Sequence, residues 1–397
     1  MEARQHVYLD NAATTPLDKR VLEAMMPYMT DYFGNPSSSH SFGRKTKTAI
    51  ETSRRTIAKH LSCTPAEICF TSGGTEADNL ALHAAVHDLA CTHIITSAIE
   101  HSAVIKTAEK IAAESNVRLS LVRLTDDGSV DLQHLAELLN TPDKSFVSLM
   151  HANNEIGNLL PLDQVGELCK QAGAIFHSDT VQTMGHYAFD LSKLHIHFLT
   201  CAAHKLHGPK GIGFLYINRS LKINGLITGG GQERALRGGT ENLYGIVGLA
   251  KALDLAYEGL EAHQKHVGEL KSYMVSRLTE RIHGIAFNGA SARHDSLYTV
   301  LNVNFPPNPN SGMMLFLLDL EGVACSGGSA CSSGASRGSH VLEGIRAIEP
   351  GRASLRFSFS RFTTKAEIDY AVDRIAHVFN GGKIAPIVEQ ERVNAGK

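Results

Sequence analysis

Ile68-Cys69-Phe70-Thr71-Ser72-Gly73-Gly74-Thr75-Glu76 is a short apolar run, a glycine pair, and the start of a helical stretch that continues from Glu76 to Leu89. A buried strand feeding a helix through glycine is the elementary unit of an α/β sheet. The pattern repeats outward. Further runs fall at His93–Thr96, Leu119–Val122, Phe146–Met150, Ala174–Phe176, Phe198–Cys201 and Gly213–Ile217, with helical stretches such as Val104–Glu114 between several of them. Strands that alternate with helices predict a mostly parallel sheet covered on both faces. From Ile246 the texture changes to one long helical segment, Ile246 to Arg281, then shorter strands and helices up to Phe379. The fold class expected is α/β, with a large domain over residues 17–250. A smaller α+β domain is expected from residues 1–16 and 251–397. A glycine- and serine-rich cysteine loop, about residues 322–340, belongs to the smaller domain. The tail after Gly381 is polar and expected to be loose.

Composition narrows the function classes. The chain has 397 residues, enough for about two or three domains. Hydrophobic residues at 43% and charged residues at 20% are ordinary for a globular enzyme. A formal net charge of -2 gives no basic surplus for nucleic acid. No apolar run approaches the ~20 residues of a membrane span, and Met1 to Asp10 lacks the apolar core of a signal peptide. Seven cysteines, an odd number in a long chain, argue against a disulfide framework and for a reducing, cytoplasmic setting.

Four segments carry chemistry. In Thr71 to Glu76, free N–H groups at a helix start beside a Thr hydroxyl suit a phosphate. The same residues also fit a glycine turn with a capping Thr. In Phe176-His177-Ser178-Asp179-Thr180-Val181-Gln182, an acid stands at the end of a buried strand, where open α/β sheets bind ligands. Asp179 can hold a positive ring nitrogen there, or simply cap the next helix. In Ala203-His204-Lys205-Leu206-His207-Gly208-Pro209-Lys210-Gly211, a partly desolvated Lys205 would have a free amine for Schiff-base chemistry. The alternative is a surface lysine in a loop. Neither His204 and His207 nor His195 and His197 gains a Cys or carboxylate at metal-ligand spacing, so no metal is expected. In Cys325-Ser326-Gly327-Gly328-Ser329-Ala330-Cys331-Ser332-Ser333-Gly334, two cysteines stand in a polar run. Cysteine is normally buried, so this placement favours reactivity over an incidental linker.

These pieces occur in order with Glu100-His101, Asn153-Asn154-Glu155 and Arg356-Phe357-Ser358. The series starts at Tyr8-Leu9-Asp10-Asn11-Ala12-Ala13-Thr14-Thr15-Pro16, continues through Phe33-Gly34-Asn35-Pro36-Ser37-Ser38 and ends at Arg361-Phe362-Thr363-Thr364. The chain thereby resembles the cysteine desulfurases over nearly its whole length. These are pyridoxal phosphate (PLP) enzymes of the aminotransferase-like fold type I, and the Ser-Gly-Gly-Ser-Ala-Cys run is similar to their long-loop branch.

The resemblance implies a set of roles. Lys205 would carry PLP as a Schiff base and later remove the substrate's α-proton. Asp179 would pair with the ring nitrogen, and His101 would stack on the ring and help move protons. Gln182 would bond the ring oxygen, with Asn154 near the same edge. Gly74, Thr75 and His204 would hold the phosphate, and Thr240, in Arg237-Gly238-Gly239-Thr240, would reach it from the partner subunit of a homodimer. Arg356 and Asn35 would grip the carboxylate of L-cysteine. Cys331 would take the sulfur as a persulfide, release alanine, and pass the sulfur to an acceptor protein, an iron–sulfur scaffold or another carrier. Cys325, after Gly322-Val323-Ala324, would end a strand.

Two features depart from the family pattern. Many relatives carry Ser-Gly where this chain has Ala202-Ala203, which removes one hydroxyl from the phosphate. The chain also has no Trp, and it ends Pro386-Ile387-Val388-Glu389-Gln390-Glu391-Arg392 before its last residues rather than in the Trp-rich acidic tail of scaffold-dedicated relatives. Two rival readings remain open. One is a selenocysteine lyase or another PLP enzyme of the same fold. The other is a catalytically silent paralogue acting as an interaction protein.

Overall fold

The computed structural model describes residues 5–327 and 338–382. The chain begins with β1 (Val7–Tyr8), then two helices, α1 (Lys19–Thr30) and α2 (Ser41–His60). Asp18 caps α1, accepting from Arg20 N, and His40 caps α2, accepting from Gly43 N. The alternating region follows as β2 (Ile68–Thr71), α3 (Gly74–His87), β3 (His93–Ser97), α4 (Ser102–Glu114), β4 (Arg118–Val122), α5 (Leu132–Leu139), β5 (Ser145–Ser148), α6 (Leu162–Gln171), β6 (Ile175–Asp179), β7 (Phe198–Ala202) and β8 (Gly213–Ile217).

All seven strands join one sheet in the order β2-β8-β7-β6-β5-β3-β4. Strands β7, β6, β5, β3 and β4 are parallel, whereas β8 runs antiparallel to both neighbours. Strands β2, β3 and β5 to β8 are buried at every residue, so most of their side chains are apolar or small, with His93, His177 and Asp179 as buried polar exceptions. Edge strand β4 is mostly open, and its charge sits at Arg118.

The second half starts with α7 (Leu243–Glu258) and α8 (Leu260–Arg281). The single long helix expected over this stretch is broken at Gly259, which ends one helix and begins the next. Then come β9 (Ala286–Phe287), β10 (Val300–Phe305), α9 (Met314–Leu320), β11 (Val323–Ala324), β12 (Ser326–Gly327), α10 (His340–Gly344), β13 (Ala353–Ser358) and α11 (Lys365–Phe379). Strands β12-β13-β10-β9 form a second sheet, antiparallel throughout. The N-terminal strand β1 returns to pair with β11. Apolar side chains gather accordingly. One large cluster runs from Val21 to Leu255, and another combines Val7 and Leu9 with residues from Val267 onward. No described helix is long and apolar enough to cross a membrane.

Candidate active site

A cavity of 460 Å³ opens where the parallel strands end. Asp179 is the last residue of β6. Ala202 is the last residue of β7, and a tight turn, Ala203–Lys205, follows it directly. Helices α3 and α4 aim their N-termini at the same space through Gly74, Thr75 and His101, all of which line it. The carboxyl end of a parallel sheet collects helix N-termini, hence N–H donors and positive dipole ends, so an anion is favoured there.

The phosphate end is formed by glycine. Gly73 has φ 155°, and a Cβ on Gly74 would stand 2.8 Å from Val181 Cγ2. Any side chain at either place would strain the turn or fill the cradle. His204 Nδ1 lies 3.2 Å from Thr14 Oγ1, and burial, reinforced by Lys205 and Lys210, pushes its ring down to about 4. At neutral pH it is therefore a neutral hydrogen-bonding group. Ala202 presents a methyl to the cavity.

At the other end, Asp179 is buried, and it accepts from Val181 N at 2.8 Å. Burial, with Asp78 adding to it, raises its carboxyl to about 6; His101 and His177 oppose the shift. His101 Nδ1 accepts from Ala103 N at 3.1 Å, which leaves the ring proton on Nε2. Lys205 Nζ donates to Ala12 O and, at 2.9 Å, to Ala13 O. Gln182 Nε2 donates to the same Ala12 carbonyl at 3.0 Å.

Arg356, in β13, is 4% exposed and lines the cavity from the smaller sheet. Its Nη2 donates to Asp10 Oδ1 at 2.9 Å, and its Nη1 donates to the backbone O of Asn154 at 2.9 Å. That arrangement stitches β13, the N-terminal segment and the Asn154 loop into one wall.

Nine residues expected at the site thus share one cavity: Gly74, Thr75, His101, Asn154, Asp179, Gln182, His204, Lys205 and Arg356. Two are not brought there, and a third is not among the described residues. Asn35 is exposed and its Oδ1 accepts from Ser37 N at 2.9 Å. Thr240 is exposed and lines a separate depression with Ser72 and Arg237. Thr240 follows a turn in which Glu233, Arg234 and Ala235 all have positive φ. Buried Glu233 fixes that turn by holding Arg54 through two hydrogen bonds of 2.8 and 2.7 Å and accepting from Phe70 N at 2.8 Å. Cys331 lies outside the described residues. The flanks of its segment are clear. Gly327 pairs with Leu355, and Ser339 Oγ donates to Glu155 Oε2 at 2.5 Å, just before His340, which lines the cavity. Cys325, between β11 and β12, packs beside the smaller core, and burial pushes its thiol up to about 12.

Sequence reasoning missed two buried acids. Asp78 lines the cavity from α3. Glu100 lies just beneath it, accepting from Ser97 Oγ at 2.8 Å and from Met150 N at 3.0 Å. Burial pushes the Glu100 carboxyl up to about 8, against the hydrogen bonds it accepts from Ser97 and Met150. The Glu-His pair at 100–101 was a signal for the latter. Nothing in the sequence marked Asp78. Asp78, His101 and Asp179 each offer one ligand-type atom within 4.8 Å of the others, the one cluster with metal-like spacing among the described residues.

A family model described as "Aminotransferase class-V" matches residues 7–371. The chain belongs to that family. A "Cysteine desulfurase IscS" from Dictyoglomus turgidum is 40% identical over 98% of this chain and 99% of its own length. A "Putative cysteine desulfurase IscS 1" from Bacillus subtilis is 40% identical over 94% of this chain and 98% of its own. Among solved structures, a "NIFS-LIKE PROTEIN" superposes with TM-score 0.86 at 35% identity, covering 94% of this chain and 99% of that one. "SspA in complex with cysteine" gives TM-score 0.78 at 29% identity, over 90% of this chain and 100% of the other.

As a class-V aminotransferase-family chain, it has residues that fit pyridoxal phosphate. A cradle that a Cβ would fill stands at Gly74, an amine follows β7, and a buried carboxylate faces the opposite end. Asp78 Oδ1, buried beside that carboxylate, accepts no hydrogen bond from the described residues.

Proposed function

We propose that this chain is a PLP-dependent cysteine desulfurase that converts L-cysteine to L-alanine and passes the sulfur to Cys331. The observation that carries the reading is the meeting in one cavity of the Lys205 amine, the buried Asp179 carboxylate, the His101 ring and the Arg356 guanidinium. PLP, when bound, supplies the electron sink that makes the α-proton and then the C–S bond of an amino acid labile.

The chain's own groups do the rest. Gly74, Thr75 and His204 hold the phosphate, and Asp179 faces the ring nitrogen. Arg356 offers a planar fork to the substrate carboxylate, against a wall it already stiffens through Asp10 and Asn154. Lys205 takes the α-proton and returns a proton to the product carbon. His101, with its proton on Nε2, stands in the same cavity as a second proton carrier. The Cys331 thiolate attacks the substrate sulfur. The C–S bond breaks, an S–S bond forms, and the net change is one thiol plus cysteine to one persulfide plus alanine. The described segment re-enters the cavity wall at His340, within a few tens of ångströms of extended chain from residue 331.

The division into a large domain, 17–250, and a small one, 1–16 with 251–397, belongs to this proposal. It is supported by the two separate apolar clusters and by the β1–β11 pairing. So does a homodimer in which Thr240 serves the partner's cavity. Exposed Met26 and Met29 on α1 and the exposed Phe33–Phe42 ring pair offer apolar surface for it. The six described cysteines are free thiols, which suits a reducing cytoplasm.

The test is alanine release from L-cysteine by the PLP-loaded protein, with mass-spectrometric mapping of the persulfide. Equal amounts of alanine and Cys331 persulfide are expected in a single turnover without acceptor. Cofactor binding without alanine release would sink the assignment.

A further inference from the structure

Asp78 is a carboxylate that the proposed chemistry leaves without a task. It sits in α3, one turn after Gly74, and is 1% exposed. Its Oδ1 accepts no hydrogen bond from the described residues, although His177 Nε2 lies 3.5 Å away. That nitrogen is engaged with Thr200 Oγ1 at 3.1 Å, and His177 Nδ1 with Ser148 Oγ at 2.8 Å. A buried carboxylate oxygen with no donor is costly unless something else meets it. Asp78 also faces the cavity, with a carboxylate oxygen within 4.8 Å of one on Asp179.

Two carboxylates this close in a dry site cannot both hold their charge without a cation between or beside them. The inference rests on the reading that the cavity takes PLP with its ring nitrogen at Asp179. We infer that Asp78 is a positioning residue that, with Asp179, makes this end of the cavity a site for a cationic ring nitrogen in preference to a neutral ring. One carboxylate suffices to bond the nitrogen. The second adds field rather than contact, and field discriminates by charge alone.

The experiment compares apo protein binding to PLP and to its 1-deaza analogue, in which C–H replaces the ring nitrogen. Phosphate, aldehyde and shape are the same in both. At fixed pH, the parent protein should prefer PLP. Asp78→Asn keeps the size and removes the charge. It should cut that preference roughly tenfold or more while leaving the affinity for the deaza analogue nearly unchanged. An unchanged preference, or an equal fall in both affinities, would mean that Asp78 only supports the fold. Stoichiometric zinc binding by the apo protein that blocks PLP and is lost in Asp78→Asn would reassign the cluster to a metal and overturn the inference. Should Asp78→Asn fail to fold, Asp78→Ser takes its place in the same comparison. Failure of the underlying reading looks different: the parent protein would not develop the yellow absorbance of lysine-bound PLP at all.

Discussion

The wall that the seven-stranded sheet contributes to the cavity differs from the wall of the four-stranded sheet in how its chemistry is held. On the large-sheet side, Asp179, Ala202 and Lys205 are a strand's last residue, a strand's last residue and the turn behind it. Their backbones are fixed by a ladder buried on both faces. On the small-sheet side, Arg356 alone comes from the middle of a strand, and His340 enters at the start of a five-residue helix. Groups that must hold a cofactor at fixed distances sit where the backbone is over-determined. The thiol proposed to collect sulfur, Cys331, falls in sequence between β12 and α10, outside the described residues.

The most severe way to break that contrast is at the rigid wall. Lys205→Ala should lower turnover by about 10⁴-fold or more, since both the covalent link and the proton carrier go. The yellow absorbance of lysine-bound PLP should go with it. Alanine release at the parent rate would remove Lys205 from its role.

The next prediction sets Cys331 against Cys325. Cys331→Ser should keep PLP and lose sulfur transfer by about 10³-fold or more, because only a thiolate makes the bond. Cys325→Ser should stay within about threefold of the parent, because its thiol, pushed up to about 12 by burial, is a packed side chain. Persulfide mapped mainly to Cys325 would invert the comparison. A smaller effect is expected at the joint between the walls. Arg356→Lys keeps charge for Asp10 but loses the fork. It should lower kcat/KM by about 10- to 100-fold, chiefly through KM. Sedimentation supplies a further check, since a stable and fully active monomer would separate Thr240 from the site.

The large sheet was legible because each of its seven strands is a short apolar run that shows at any register. The reversed direction of β8 was not assigned, though a reason was present. Residues 203–212, between β7 and β8, are too few for a parallel crossover of a dozen or more. The break at Gly259 went unseen because one glycine inside a helical pattern is often tolerated. Of the nine cavity residues, Gly74, Thr75, Asp179, His204 and Lys205 stand in strand-end and helix-start motifs, whereas the roles of His101, Asn154, Gln182 and Arg356 came only from the family resemblance. Asp78 was marked by neither. An acid inside a helix reads as solvated, and the packing of α3 on the sheet, with His177 at 3.5 Å, buries it.

The mildest test concerns the Ala202 departure. Ala202 is 2% exposed, and its Cβ lies 3.8 Å from where a Cβ on Gly74 would stand, so a hydroxyl added there would face the N-terminus of α3. In the loaded protein it would donate to the phosphate. A hydrogen bond to a charged group is worth about 1.5–3 kcal/mol at best, so Ala202→Ser should slow PLP loss by roughly tenfold or somewhat more. The same hydroxyl without phosphate is a buried polar group with no assured partner. Apo Ala202→Ser should therefore melt lower than the apo parent, by the few degrees that about 1 kcal/mol represents. Loaded Ala202→Ser should melt higher than the loaded parent. Opposite shifts in the two states tie the residue to the phosphate, because a change in packing would move both the same way. Equal PLP dissociation rates in the two proteins would mean that the α3 N–H groups, Thr75 and His204 already satisfy the phosphate.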